Sequence, residues 1–388
     1  MVANDMVFTI IGQELQALLW KRRSSLAILF GIPLLYTILF GTMYSANVVK
    51  NIPLAVYDQD QTASSRSLLQ AFADSERYHV AAHVTSQEDL EKYLHCKGAV
   101  AALVIPADFS RDIKMSRSAA VLVMTNATNL MFANGVLSSS QEIVQTFSAA
   151  AGQKLLEGIN QPPAQALKTV YPVRISLRVV DNPTTAYSSF ILSGLTVNGL
   201  QIAIYLVSCT LLTAEYASLL ARREWSCWAI ILGKLVPCWL ISVLSCVASV
   251  GVLVVWFNQP FRGSLLDLIL IGSAFSFAIS SLGLLISAAC PNILSTMQNT
   301  AIYIMSAFLC SGYSWPEFAM NSFSKIYAML APITYAAATV RDIMLSANVP
   351  ALSRNILILF AFGGVFCTLA VLIFARRRKQ WQNSAGRA

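Results

Sequence analysis

Apolar and polar positions alternate along this chain on two length scales. Long apolar stretches run over Leu26–Tyr44, Ser188–Leu212, Lys234–Phe257, Leu265–Ala289, Ile293–Ser311 and Asn355–Ala375. A bilayer-crossing helix needs about 20 predominantly apolar residues, so the pattern predicts about six spans. Residues 1–25 precede the first. There Ile10, Ile11, Leu15, Leu18 and Leu19 recur at helical spacing, with Gln13, Glu14 and Gln16 between them, and Trp20-Lys21-Arg22-Arg23 follows. This suits a helix lying in the membrane interface with Trp20 at headgroup level. A disordered start is the alternative.

Between the first two spans, residues 46–186 show short-range patterning instead. Ile52–Tyr57 is an apolar run ended by Asp58-Gln59-Asp60, and Thr62 or Ser64 is placed to cap a helix over Ser65–Ala73. Val80–Val84 reads as a strand, Gln87–Leu94 as a helix and Val100–Ile105 as a buried strand. Pro106 opens a short helix through Phe109 and Ile113, and Ala120–Met124 is a further strand. A long helical stretch follows over Leu130–Ile159 until Pro162-Pro163, and Val173–Val180 alternates like a strand. Strands alternating with helices predict a compact α/β domain. The fold class is therefore a polytopic α-helical membrane protein with an α/β domain between helices 1 and 2.

Composition agrees. The 388 residues are 56% hydrophobic and 12% charged, with mean hydropathy +0.60, whereas a soluble domain carries about 25% charged residues. The net charge of +8 does not call for nucleic acid. Much of the basic excess flanks spans, as Arg22-Arg23, Arg222-Arg223, Lys234 and Arg376-Arg377-Arg378-Lys379. Basic residues hold loops on the cytoplasmic side. The bias predicts cytoplasmic termini, an uncleaved first span over 26–45, an extracytoplasmic domain over 46–186, spans 2–6 within 187–376, and a cytoplasmic tail over 377–388. Of eight cysteines only Cys96 lies in the polar section, so no disulfide forms within it, and no CxxC pair is present.

The last third carries the most specific motif. Cys310-Ser311-Gly312-Tyr313-Ser314-Trp315-Pro316 ends an apolar stretch, followed by Ala331-Pro332-Ile333-Thr334-Tyr335, then Arg341. Gly and Pro break helices here at membrane depth, where broken backbone survives only when sheltered by protein or water. Together with Gln13-Glu14-Leu15, Pro33 and Gly41 near the start, Leu54–Asp60 opening the polar section, and Ala102–Phe109 within it, this order resembles the ABC-2 type permeases with a large extracytoplasmic domain. Arg222-Arg223-Glu224 and Gly233-Lys234-Leu235-Val236-Pro237 resemble that family's coupling segment. They depart from it in having Trp225-Ser226 where Gly-Thr is usual, and in a short gap before Gly233.

The resemblance implies a coupling loop over 214–233, with Arg222, Arg223, Glu224, Trp225, Gly233 and Lys234 meeting an ATPase. It also implies an outer re-entrant segment over 312–345, two short helices with Gly312, Tyr313, Trp315, Pro316, Pro332, Tyr335 and Arg341 as a gate. No GxxxxGK[ST] phosphate loop occurs, so ATP and Mg would sit on a separate ATP-binding subunit. The further implied partners are the lipid bilayer, a second permease copy or paralogue and, in a cell with an outer membrane, a periplasmic membrane-fusion adaptor. The implied location is a bacterial inner membrane.

Rival chemistry finds little support. A GxSx serine protease needs a base, and the three histidines, His79, His83 and His95, all lie in the polar section. His79 and His83 would suit zinc on a helix, but a strand separates the rings. Asp58 and Asp60 read as a strand-ending turn. No catalytic or metal-binding residue is assigned. Proton relays carry intramembrane carboxylates. The main polar residues within these spans are Asn198, Gln201, Gln298 and Asn299, which suits an apolar or amphipathic cargo. A receptor whose outer domain binds ligand is the alternative, but the cytoplasmic parts are only short loops and tails.

Overall fold

The computed structural model describes residues 2–45, 50–95, 98–115, 117–126, 130–157, 181–182, 186–222, 224–290, 292–346 and 349–385. The strand expected at Val173–Val180, the Pro162-Pro163 break and Arg223 lie outside these. The chain forms two compact units, one from Met1–Asn47 with Val179–Ala388 and the other from Val48–Arg178.

In the second unit β1 (Ile52–Asp58), β2 (Tyr78–His83), β3 (Ala101–Ile105) and β4 (Leu122–Thr125) form one sheet in the order β2-β1-β3-β4. β1 pairs in parallel with β2 and β3, and β4 runs antiparallel to β3. The helices α3 (Ala63–Ala73), α4 (Gln87–His95), α5 (Phe109–Lys114) and α6 (Leu130–Glu157) complete it. Alternation along β1 sorts its side chains by face. Leu54 and Val56 pack with Leu68, Phe72, Leu103 and Phe109, while Ala55 faces Ala102, Leu90 and Leu94. Thr62 caps α3 in a reciprocal box with Ser65. Tyr78 ties β2 to α6, donating to the Val136 carbonyl at 2.9 Å beside the hydroxyls of Ser139 and Ser140.

The first unit is helical. α1 (Val2–Gln16) continues through a π turn at Ala17–Lys21 into α2 (Arg23–Met43). After the α/β domain come α7 (Tyr187–Ser208), α8 (Tyr216–Ala221), α9 (Cys227–Phe257), α10 (Leu265–Ala289), α11 (Ile293–Leu309), α12 (Ser322–Leu330), α13 (Pro332–Leu345) and α14 (Leu352–Ala385). Five helical stretches among the described residues are long and apolar enough to cross a membrane: Arg23–Met43, Tyr187–Ala221, Cys227–Phe257, Leu265–Ala289 and Leu352–Asn383. The remaining expected span, α11, has 17 residues, about 25 Å at 1.5 Å per residue. It falls just short of the bilayer's apolar thickness.

Two boundaries differ most from the sequence reading, the others by a few residues. α9 starts seven residues before Lys234, because Ser226 caps it by accepting from the Ala229 N–H at 3.1 Å. α14 runs past Ala375 through the basic cluster. Arginine and lysine are good helix formers, so loss of hydropathy there does not end the helix.

Pro33 shows how a break within α2 is repaired. Proline has no N–H to give to the carbonyl four residues earlier, which orphans the Leu29 carbonyl. The Ser245 hydroxyl of α9 donates to it at 2.6 Å. Thr37 donates to the Pro33 carbonyl at 2.8 Å and meets Thr196 of α7 at 3.1 Å. A broken helix in lipid needs such partners.

Candidate coupling site and re-entrant segment

The segment from Leu212 to Ser226, between α7 and α9, is where the ends of several helices are fastened together. Its start is held by α10: the Leu212 and Thr213 N–H groups both donate to the Ser287 hydroxyl at 3.2 Å. Tyr216 donates to the Ala288 carbonyl at 3.1 Å. Its far end is held by α14, where Arg378 donates to the Trp225 carbonyl at 2.6 Å. Arg377 of the same helix reaches the Ala289 carbonyl.

A charge cluster fixes the segment's middle to the N-terminus. The Lys234 ammonium lies 2.9 Å from Glu14 and 3.2 Å from Glu215. Arg22 bonds Glu14 at 3.0 Å and also pairs with Glu215. The two acids and two bases balance in formal charge. Lys234 is 2% exposed and Glu14 6% exposed. A buried charge is tolerated when it is paired and hydrogen-bonded, and each of these has two opposite partners. The cluster thus joins α1, the start of α2, the turn before α8, and α9.

The expected coupling residues divide into two groups. Arg222 and Glu224 are exposed, and the Arg222 guanidinium lies 4.1 Å from the centre of the half-buried Trp225 ring. Trp228 is also exposed. Arginine and tryptophan are common anchors at protein interfaces. Gly233 and Lys234 are instead buried inside α9. Their side of α9 meets α1, and a Cβ on Gly233 would stand 2.3 Å from Ile10 Cγ2. They position α1 and present no surface to a soluble partner.

Sequence reasoning missed Glu14 and Glu215. By sequence Glu14 reads as one of the polar residues of α1, yet the buried stripe that runs from α1 into the π turn is Ile10, Glu14 and Leu18. The available signal was their i, i+4, i+8 spacing. Lys234, read from the sequence as a basic residue at the edge of a span, instead lies buried inside α9.

The segment over 312–345, expected to be re-entrant, forms two short helices, α12 and α13. Gly312 sits at φ +80°, a left-handed conformation that costs other residues about 1–2 kcal/mol. The turn sends the Tyr313 ring back against α7. Its hydroxyl accepts from the Gly194 N–H at 3.1 Å, meets the Ser193 hydroxyl at 2.8 Å and bonds the Phe190 carbonyl. A Cβ on Gly194 would stand 2.3 Å from the Tyr313 ring, so only glycine leaves room. Phe190 stacks on Tyr313 at 5.2 Å, and Arg341 of α13 lies 5.4 Å from the centre of the Tyr313 ring. Arg341 also pairs with Asp342 at 3.0 Å.

Gly312, Tyr313 and Arg341 therefore come together, joined by Phe190, Ser193 and Gly194, which the sequence did not single out. The other expected gate residues stand apart from this contact. Trp315 is exposed, donating to the Ala319 carbonyl at 3.4 Å, and Pro316 precedes a short 3₁₀ turn. Pro332 starts α13, where its missing N–H costs nothing. Tyr335 donates to the Met329 carbonyl at 2.9 Å, bracing α13 against α12.

The remaining candidates have structural explanations. His79 and His83 are exposed on β2, and four residues along a strand span about 13 Å. No cluster of three or more metal-ligating side chains occurs among the described residues. Asp58 accepts from the N–H groups of Asp60 and Gln61 at 3.0 and 3.1 Å and from the Ser65 hydroxyl at 2.7 Å. That is the strand-ending turn.

Apolar helices long enough to cross a membrane before and after an α/β domain, with short helices towards the end of the chain, define a polytopic helical membrane protein. The family model described as "ABC-2 family transporter protein" matches residues 23–372, and the chain belongs to that family. It is a multi-pass membrane permease subunit of an ABC transporter. It is similar to the "Probable multidrug ABC transporter permease YbhR" of Escherichia coli (strain K12), at 24% identity over 87% of this chain and 89% of the relative. YbhS of the same organism, also a probable multidrug permease, is 26% identical over 71% of this chain and 72% of its own. The "Linearmycin resistance permease protein LnrN" of Bacillus subtilis (strain 168) is 24% identical over 95% and 97%.

Proposed function

We propose that this chain is the membrane half of an ATP-driven exporter that moves an apolar or amphipathic, drug-like or lipid-like molecule out of the cytoplasm or inner leaflet. The observation that carries the coupling part of this reading is the fastening of the Leu212–Ser226 segment. It is tied to α1 and α9 through the Glu14–Lys234–Glu215–Arg22 cluster and to α14 through Arg378. A segment so held transmits a push at Arg222–Trp228 to several membrane helices at once. A solvated loop without those ties would absorb it.

In this reading Arg222, Glu224, Trp225 and Trp228 meet a separate ATP-binding subunit, which binds ATP and Mg. The termini and the Leu212–Ser226 segment are cytoplasmic and the α/β domain is extracytoplasmic, as the basic flanks support. The location is a bacterial inner membrane. A second copy or a paralogue completes the pathway. Similarity to two permeases of one bacterium, YbhR and YbhS, supports the paralogue. The α/β domain docks a periplasmic adaptor where the cell has an outer membrane. The names of the relatives, multidrug permease and linearmycin resistance permease, support the cargo class.

The test is co-purification with candidate ATP-binding subunits of the same cell, followed by ATPase assay in lipid with candidate amphipaths. Export predicts a stable complex whose ATPase rises with substrate. Failure to bind any nucleotide-binding subunit would favour the receptor alternative.

A further inference from the structure

A groove of about 420 Å³, open to the outside along one side, lies between the C-terminal end of α11 and the N-terminal end of α12. Leu309, Cys310, Trp315, Met320, Asn321 and Ser324 line most of it. Small-molecule sites occupy about 300–1,000 Å³ and combine apolar walls with a few polar groups. This groove has that make-up. Leu309, Met320 and the Trp315 indole supply apolar surface, and no Lys, Arg, Asp or Glu lines it.

The polar groups on its rim have capacity to spare. Asn321 Oδ1 accepts from the Ser324 N–H at 2.8 Å and so caps α12. That fixes the amide orientation and leaves its NH₂ group to donate. The Ser324 hydroxyl is a further donor or acceptor. The surroundings are apolar as well: Leu309, Phe323 and Ile326 are exposed. Apolar surface of this kind suits contact with lipid, and a ligand dissolved in the bilayer would meet the groove there.

We propose that this groove is a binding site for an uncharged, oxygen-bearing amphipath that reaches it from the bilayer. The chain or ring of the ligand lies against Leu309, Met320 and Trp315. Its ester or hydroxyl oxygens accept from the Asn321 NH₂ and exchange a hydrogen bond with Ser324. A charged headgroup is disfavoured, because no lining side chain carries a compensating charge. The site requires only the folded permease in lipid, so its failure is separable from failure of the exporter reading.

Cys310 supplies the readout, being a free, partly exposed thiol on the groove wall. The full-length permease in phosphatidylcholine nanodiscs, without an ATPase partner, is alkylated with N-ethylmaleimide. Labelling of Cys310 is followed by peptide mass spectrometry while 1-monooleoylglycerol is titrated. Cys290, outside the groove, serves as internal control. The expected result is a saturable slowing of Cys310 labelling by at least about fivefold, with Cys290 unaffected. In Asn321→Leu/Ser324→Ala the slowing should shrink to less than about twofold. A second arm identifies the source by lipid analysis of the purified protein. A retained stoichiometric amphipath means a resident lipid, and saturable protection without one means a visiting molecule. Unsaturable protection, protection equal at Cys290, or protection unchanged in the double variant would overturn the proposal. If the double variant unfolds, Ser324→Trp, which fills the groove, must block Cys310 labelling in the absence of probe. Free labelling there also overturns it.

Discussion

Lys234 of α9 and Glu14 of α1 form an ion pair at 2.9 Å across 220 positions of sequence, and both are buried. The pair anchors the N-terminal helix to the bundle together with the packing of Ile10 against Gly233. Its worth lies less in net attraction than in the penalty for breaking it. Burying two charges offsets most of their Coulomb gain, whereas removing one partner strands the other and costs about 3–5 kcal/mol.

Lys234→Met should therefore lower stability sharply, by about that amount, because Glu14 is then buried beside only Arg22. The Lys234→Met/Glu14→Leu double variant should recover much of the loss. Apparent melting temperatures of the purified permease in nanodiscs check this. Strictly additive losses would show that the two residues do not act as a pair.

Ser245→Ala is expected to destabilise more than its small change in volume suggests. It leaves the Leu29 carbonyl, orphaned by Pro33, without a donor. An unsatisfied buried group costs about 1–3 kcal/mol. Adding Pro33→Ala restores the N–H four residues on and should remove most of the effect. Thermal unfolding of the two variants decides, and an equal loss in both would contradict the repair.

Gly194→Ala should displace the Tyr313 ring, since the new methyl would stand 2.3 Å from Tyr313 Cε1. Overpacking of this kind costs about 1–3 kcal/mol. Gly251→Ala is the matched control, with nothing within 4 Å of its built Cβ. It should be neutral or stabilising by about 0.5–1 kcal/mol, as Ala is preferred to Gly within a helix. Similar melting shifts for the two would refute the close contact between α7 and the turn at Gly312.

The elements were legible wherever a local pattern decides them. The alternation of Leu54, Ala55 and Val56 announces β1 and its two faces. Asp58 and Thr62 mark the turn and the cap, and Gly312 marks the break after α11. What was hidden depends on residues far apart in sequence. Glu14 looks like a solvated glutamate until Lys234 is brought beside it, and Lys234 looks like a membrane-flanking cation until α1 covers it. Gly194 carries no local signal at all, because the group that requires its missing side chain, Tyr313, lies 119 positions away. The α9 start has a local signal in the Ser226 cap, but a lysine in an apolar run reads as the edge of a span unless its counter-charges are known.

The central claim, that the exposed face at Arg222–Trp228 receives an ATP-binding subunit, is tested most directly by photo-crosslinking. A benzophenone amino acid is placed at position 224, and at Ser138 of α6 as control, in the full-length permease in cells producing the ATP-binding subunit. Position 224 should crosslink to that subunit in a nucleotide-dependent way, and position 138 should not. Accessibility of position 224 to an impermeant reagent from outside the cell, with no crosslink to the subunit, would contradict the account.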